Sequence, residues 1–337
     1  MNNKKIFIIF ILIFIFFISK NIYCQDNAKV YVIKKLEFQE INRWYASYIK
    51  KAIKKASDEG ASLIILELDT PGGLLSSALS IKNYIIESDI PVVAYINKNA
   101  LSAGALISLS CEAIYMSDGS IIGAATPVYM KGGNIEKASE KEISAMRAAM
   151  RSSAERSKKN VRAAEAMVDE TIILTKSKDG IDLDDKTLLT LSLEEALKVN
   201  IADAKANSII EIIKLRNLSE NSTIKNVEEE KYDYILRFLI NPAVLSALIS
   251  IGIIGVYIEL KTPGFGIGGV ISIIAFSIFF FAQIFVGDSG FLSPAIFLLG
   301  IVLLAIEIFV IPGFGITGIL GILGIVAGIF MSFGINN

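Results

Sequence analysis

Residues 30–122 alternate between two hydrophobic patterns. Val30–Ile33, Ser62–Leu68, Pro91–Ile96, Ala113–Met116 and Ile121–Ile122 are short, nearly continuous apolar runs, as expected of strands covered on both faces. Between them, Tyr45–Ala56 and Leu74–Glu87 carry apolar residues at helical spacing, and Ala103–Leu109 reads as a short buried helix. This β-α-β-α order predicts an α/β domain with a largely parallel sheet. Glu140–Lys159 reads as one charged amphipathic helix with Ile143, Met146 and Met150 on a single face. Ser192–Val199 reads as a helix opened by a capping box of Ser192 and Glu195. Lys214–Lys231 is polar, with Asn217, Ser219, Asn221 and Ser222, and reads as a linker.

Beyond Pro242 the pattern changes. Apolar runs at 242–258, 266–286, 293–310 and 316–334 are each near the length that crosses hydrocarbon. Glu259-Leu-Lys-Thr-Pro263-Gly264-Phe265-Gly266-Ile267 recurs as Glu307-Ile-Phe-Val-Ile-Pro312-Gly313-Phe314-Gly315-Ile316. Each copy closes one apolar run and opens the next, so the repeated unit is a hairpin of two membrane helices around a Pro-Gly turn. The acidic residue before each turn is placed at the interface or paired within the bundle. Gly318, Gly321, Gly324, Ala327 and Gly328 allow close helix packing. At the other end, Lys4-Lys5 and the 13-residue apolar run Ile6–Ile18 fit a secretory signal ending near Cys24. The predicted organisation is a signal peptide at 1–24, an α/β domain at 25–213, a linker at 214–235 and a four-span membrane domain at 236–337. With the α/β domain outside the cytoplasm, Lys261 falls inside and Asp288 outside, in line with the positive-inside rule.

Composition sharpens this division. Hydrophobic residues make up 53% of the 337 residues, and mean hydropathy is +0.55. The 33 basic and 34 acidic residues lie almost entirely between Gln25 and Arg237, and the net charge of −1 argues against a nucleic-acid surface. Histidine is absent, which removes Ser-His-Asp and Cys-His mechanisms and histidine-ligated metals. Two cysteines, Cys24 and Cys111, build no disulfide framework or metal cluster, and no cofactor is expected.

Two turns carry candidate chemistry. Asp69-Thr-Pro-Gly-Gly73 follows a buried strand and opens a helix, and its glycines leave backbone N–H groups open to a developing anion. Asn97-Lys-Asn-Ala-Leu-Ser102-Ala103-Gly104-Ala105 does the same after the next strand. Ser102 there is either an ordinary helix N-cap or a nucleophile, with the Ala103 N–H at the positive end of the helix. Without histidine, a serine nucleophile needs a lysine base. Lys98, Lys131, Lys137, Lys141 and Lys158 all qualify by position.

Several strings in order carry a family resemblance. Leu66-Glu-Leu-Asp-Thr-Pro-Gly-Gly73, Ser102-Ala-Gly-Ala105, Ile114-Tyr-Met116, Ile121-Ile-Gly-Ala-Ala-Thr-Pro-Val128, Leu191-Ser-Leu-Glu-Glu-Ala196 and the duplicated Pro-Gly-Phe-Gly hairpin resemble the membrane-bound serine proteases of the NfeD family. The similarity covers about residues 28–334. It implies a ClpP/crotonase-like fold and a Ser-Lys dyad of Ser102 and Lys141, with Lys137 as the alternative base. Gly72, Gly73 and Ala103 would form the oxyanion hole. It also implies a stomatin- or flotillin-like membrane protein as substrate or partner, and a homo-oligomer. Where family members often carry glycine before Leu-Ala-Asp, this chain has Asn200-Ile201-Ala202-Asp203, and asparagine also accepts the left-handed cap conformation. Long members continue into a small OB-like barrel, so a separate OB-domain NfeD protein is an expected partner. A non-proteolytic scaffold organising stomatin- or flotillin-like oligomers is the rival reading.

Overall fold

Strands β1 (Lys29–Ile33), β2 (Leu63–Thr70), β3 (Val92–Leu101) and β4 (Ala113–Met116) send alternate residues to opposite faces, and both faces are apolar. Ile33, Ile64, Leu66, Ala94, Ile96 and Met116 point into the larger core; Val30, Val32, Leu63, Ile65, Val93 and Tyr115 point into a smaller one. That two-sided burial explains why these strands read as continuous apolar runs. The computed structural model describes residues 28–34, 40–131, 134–184, 186–219, 221–228, 231–262, 266–285, 290–309 and 315–333. The expected signal segment, with Cys24, lies outside them.

The larger core is covered by α1 (Arg43–Asp58), α2 (Leu75–Ile86) and α3 (Ala103–Ser110). Behind them stands α4 (Glu140–Arg156), whose Met146 and Met150 are buried with Ile143 packed beside them. Strand β5 (Ile121–Gly123) extends the sheet in an unusual place. The first half of β3 pairs with β4, and its last residues, Asn99–Leu101, pair with β5. A separate hairpin of β6 (Val128–Lys131) and β7 (Asn134–Lys137) leads into α4. Beyond β5 runs β8 (Thr190–Ser192), the only antiparallel member of the main sheet among the described residues, and β9 (Ala204–Lys205) lies outside β4. Asn200 holds φ +60°, the left-handed conformation expected there.

The 214–235 segment, which reads as a linker, holds structure. Its Thr223–Val227 forms the edge strand β10, parallel to β1 in register from Lys29↔Thr223 to Ile33↔Val227. Four of the five β10 residues are exposed, so no apolar run marks the strand. Lys225 Nζ reaches Glu59 Oε2 at 2.6 Å, and the Tyr31 hydroxyl also donates to that carboxylate. Those two bonds, Lys225 first, hold the Glu59 carboxyl below the usual carboxylate range.

The C-terminal region has helices Pro242–Lys261, Ile267–Phe285, Leu292–Phe309 and Ile316–Ser332. The first two are long and apolar enough to cross a membrane, and the last two are apolar but shorter. The first helix packs on the second, and the third on the fourth, backbone on backbone through glycine. A Cβ on Gly268 would lie 2.6 Å from the Gly255 carbonyl oxygen, and one on Gly300 would lie 2.5 Å from the Ile325 nitrogen. The two acidic residues fold back onto the next helix. Glu259 accepts the N–H groups of Gly266 and Gly269, both at 2.7 Å, and Glu307 accepts the Gly315 N–H and the Thr317 hydroxyl. Each carboxylate therefore satisfies orphan donors at a helix N-terminus, where its charge is favoured.

Candidate active site

Sheet pairing brings the two sequence motifs together. Strands β2 and β3 are parallel neighbours, so the turns after them leave the same end of the sheet. Thr70 pairs with Ala100, which places Gly72 against Ser102: a Cβ on Gly72 would stand 2.5 Å from Ser102 Cβ and 3.0 Å from its Oγ. Only glycine leaves that space open, and its φ of +117° suits the residue as well.

Ser102 holds φ +53° and ψ −117°, outside the regions L-residues favour. It occupies the N-cap position of α3, yet its side chain makes no capping bond. The backbone fixes it instead. Its N–H donates to the Gly123 carbonyl of β5 at 2.9 Å, and its own carbonyl accepts the Ala105 N–H at 3.0 Å. A strained residue on a sharp strand-to-helix turn, whose hydroxyl makes no hydrogen bond among the described residues, has the geometry that a displayed nucleophile requires.

The three N–H groups read as oxyanion donors differ. Gly72 donates its N–H to Thr70 Oγ1 at 3.0 Å. Among the described residues, neither Gly73 nor Ala103 has an acceptor for its N–H. Ala103 follows Ser102 directly and Gly73 follows the glycine that faces it, and the Ala103 group stands in the first turn of α3, where the helix dipole favours negative charge. Thr70 also packs against α3. Its methyl lies 2.6 Å from where a Cβ on Gly104 would stand, so the glycine lets the first turn of α3 sit close to β2.

Ile41 was not legible as a neighbour of the site. Ile41 donates its N–H to the Gly72 carbonyl at 2.8 Å and accepts the Leu74 N–H at 2.7 Å, clamping the glycine turn from its far side. Both bonds use main-chain atoms, so the side chain gives no signal. Thr70, inside the Asp-Thr-Pro-Gly-Gly string, was the one readable hint. Gly73→Ala tests the clamp. The new Cβ would fall 2.3 Å from the Ile41 oxygen and 2.6 Å from its nitrogen, at φ +151°, and neither backbone atom can step aside. The expected loss of stability is about 2–4 kcal/mol, measured as a lower midpoint of chemical unfolding.

The candidate bases are not gathered at the serine. Lys141 stands in the first turn of α4, inside a capping box of Ser139 and Glu142, with an exposed side chain. Bonds from Ser139 hold the Glu142 carboxyl below its usual range. Among the described residues no hydrogen bond joins Lys141 to Ser102. Lys137 is paired with Glu170 Oε1 at 2.5 Å. Lys98 is exposed on β3, and the Lys131 side chain lies outside the described residues. Lys158 lines a cleft of about 580 Å³ with Val92, Cys111, Glu112 and Asp203, near the start of β3 and so away from Ser102. Burial pushes the Cys111 thiol far up, which leaves it unreactive. The described residues hold no cluster of metal-ligating side chains.

Comparison with known proteins identifies the family and the fold. Residues 29–227 match the family described as NfeD1b, N-terminal domain, and residues 243–337 match the NfeD integral membrane domain. Membrane protein NfeD1b of Bacillus subtilis is 35% identical over 315 residues, spanning 92% of this chain and 69% of the relative. Membrane-bound protease PH1510 of Pyrococcus horikoshii is 27% identical over 344 residues, spanning 96% of this chain and 73% of the relative. Two solved structures of the 1510-N membrane-bound stomatin-specific protease share the fold of the α/β domain. A serine-to-alanine mutant is 28% identical with a TM-score of 0.51, covering 60% of this chain and 99% of that one. A lysine-to-alanine mutant in complex with a substrate peptide is 27% identical with a TM-score of 0.53, covering 64% and 98%.

Proposed function

The chain belongs to the NfeD family and is a membrane-bound serine endopeptidase, and from that premise we propose that it cleaves peptide bonds with a Ser102–Lys141 dyad. The observation that carries the proposal is Ser102 itself: strained, uncapped, facing Gly72, and followed by Ala103 at the start of α3.

Lys141 Nζ, in its neutral form, takes the hydroxyl proton as Ser102 Oγ attacks the scissile carbonyl carbon. The carbonyl oxygen becomes an oxyanion held by the Gly73 and Ala103 N–H groups. Gly72 supplies the open space, and its own N–H joins only by leaving Thr70 Oγ1. As the C–N bond breaks, Lys141 returns the proton to the leaving amine, and the acyl group stays on Ser102 as an ester. Water then attacks that ester with Lys141 again as base, and collapse releases the acid and regenerates Ser102. Lys141 is exposed in this structure, so substrate or a second copy of the chain completes its environment.

The substrate we infer is an apolar segment of a stomatin- or flotillin-like membrane protein. The relative named as a stomatin-specific protease supports that choice, as does the membrane domain carried on the same chain. The four apolar helices are proposed as four spans forming two hairpins, with the α/β domain on the extracytoplasmic face. Support for an even number of spans comes from Arg43, whose guanidinium donates to the Phe333 carbonyl just after the last helix. That end and the Asn241 start of the first helix then lie toward the α/β domain. Labelling by a serine-reactive fluorophosphonate, present in the wild-type chain and absent in Ser102→Ala, tests the site. Added protease that digests the α/β domain in sealed, right-side-out vesicles tests the orientation. Absence of Ser102-dependent labelling leaves the scaffold reading instead.

A further inference from the structure

The glycine turn is tied, through one short segment, to the membrane helices. Ile41, whose main chain clamps Gly72 and Leu74, is followed by Asn42, which caps α1 by accepting the Tyr45 N–H at 2.9 Å. Next comes Arg43, bonded to the Phe333 carbonyl after the last membrane helix. Then comes Trp44, only 2% exposed and stacked on Tyr48 at 5.4 Å. The short helix Lys231–Leu239 grips the same turn from a second direction. Its Arg237 guanidinium lies 5.7 Å from the Trp44 ring centroid, its Leu236 is buried in the larger core, and its Asp233 pairs with Lys51 at 3.8 Å. The other side of that helix exposes Tyr234, Ile235 and Phe238 just before the first membrane helix begins at Pro242. That aromatic and apolar side suits the membrane–water interface.

We propose that Arg43 is a positioning residue for catalysis. Through the first turn of α1 and the Ile41 main chain, the membrane helices hold the Gly73 N–H aimed at the oxyanion that forms on the Ser102 adduct. The proposal rests on the Ser102 reading given above. It links the membrane region to catalytic competence, because hydrogen-bond donors of this kind act only when placed to within about 1 Å.

The experiment uses the full chain in lipid nanodiscs and a peptide with an apolar segment. Arg43→Ala is expected to lower kcat about tenfold or more while KM changes less than about twofold. Amide exchange should rise at Ile41 and Leu74, whose N–H groups make the clamp, with the rest of the sheet still protected. Arg43→Lys keeps a donor for the Phe333 carbonyl and is expected to recover most of kcat. Wild-type kcat in Arg43→Ala, a change in KM alone, or loss of protection across the whole sheet each overturn the positioning role. Wild-type chain with no Ser102-dependent cleavage overturns the dyad reading and this inference with it, so the two failures are told apart by the wild-type control.

Discussion

Ser102→Ala is expected to abolish cleavage, by about 10⁴-fold or more, and to leave the fold as it is. The loss follows from removing the only atom that attacks. The retained fold follows from what the Ser102 side chain does not do: it makes no capping bond to α3. Its backbone bonds to Gly123 and Ala105 use main-chain atoms that alanine keeps. Alanine also carries the same penalty as serine at φ +53°. Stability should therefore move by less than about 0.5 kcal/mol. Ser102→Gly gives the complementary result. Glycine adopts that conformation without penalty, so the inactive variant is expected to gain about 1 kcal/mol in stability. Cleavage of an apolar peptide and chemical unfolding, both on the purified full chain, check the pair. Unchanged cleavage in Ser102→Ala would sink the nucleophile assignment. An unaltered stability in Ser102→Gly would show that the turn stores no strain.

The parts of the fold that were legible are those whose burial writes itself into composition. β2 and β3 are covered on both faces, so Leu63–Leu68 and Val92–Ile96 are apolar almost throughout. The C-terminal apolar helices were legible because their apolar length is itself a pattern, and the first two are long enough to cross a membrane. Strand β10 was not, because as a mostly exposed edge strand it is fixed by main-chain bonds to β1 and by Lys225 reaching Glu59, neither of which needs an apolar side chain. The β6–β7 hairpin escaped for a similar reason: Val128, Tyr129 and Glu136 face solvent or nearly so, and no core imposes a pattern on them.

The candidate site divides the same way. Ser102 and the two glycines stood out because each turn needs a small or special residue at one position. Along the chain they are two separate turns; the parallel pairing of β2 with β3 makes them meet, at 2.5 Å between the Ser102 Cβ and a Cβ on Gly72. Ile41 lies about thirty residues away and acts through main-chain atoms alone, which places it beyond any reading of side chains. The lysine was the least legible member, since several stood at suitable positions and a base is chosen by its surroundings rather than by its neighbours in sequence.

Those surroundings yield the second large effect. Lys141→Ala is expected to lower cleavage about 10³-fold or more and to remove fluorophosphonate labelling of Ser102, whereas Lys137→Ala should change cleavage less than about threefold. The distinction lies in what each amine already does. Lys137 is bonded to Glu170 at the end of β7, and an ammonium held by a carboxylate has no lone pair to offer. Lys141 is the second residue of α4, inside the Ser139–Glu142 capping box, with no such partner among the described residues. Lys141→Arg is expected to stay inactive, because a guanidinium does not give up its proton near neutral pH. A lysine base works only without its proton, so wild-type cleavage should rise toward alkaline pH. The double variant Ser102→Ala/Lys141→Ala should be no worse than Ser102→Ala, as expected of two groups acting in one step. Full cleavage by Lys141→Ala together with loss in Lys137→Ala would move the base to Lys137, and would require the Glu170 pair to open before the serine can attack.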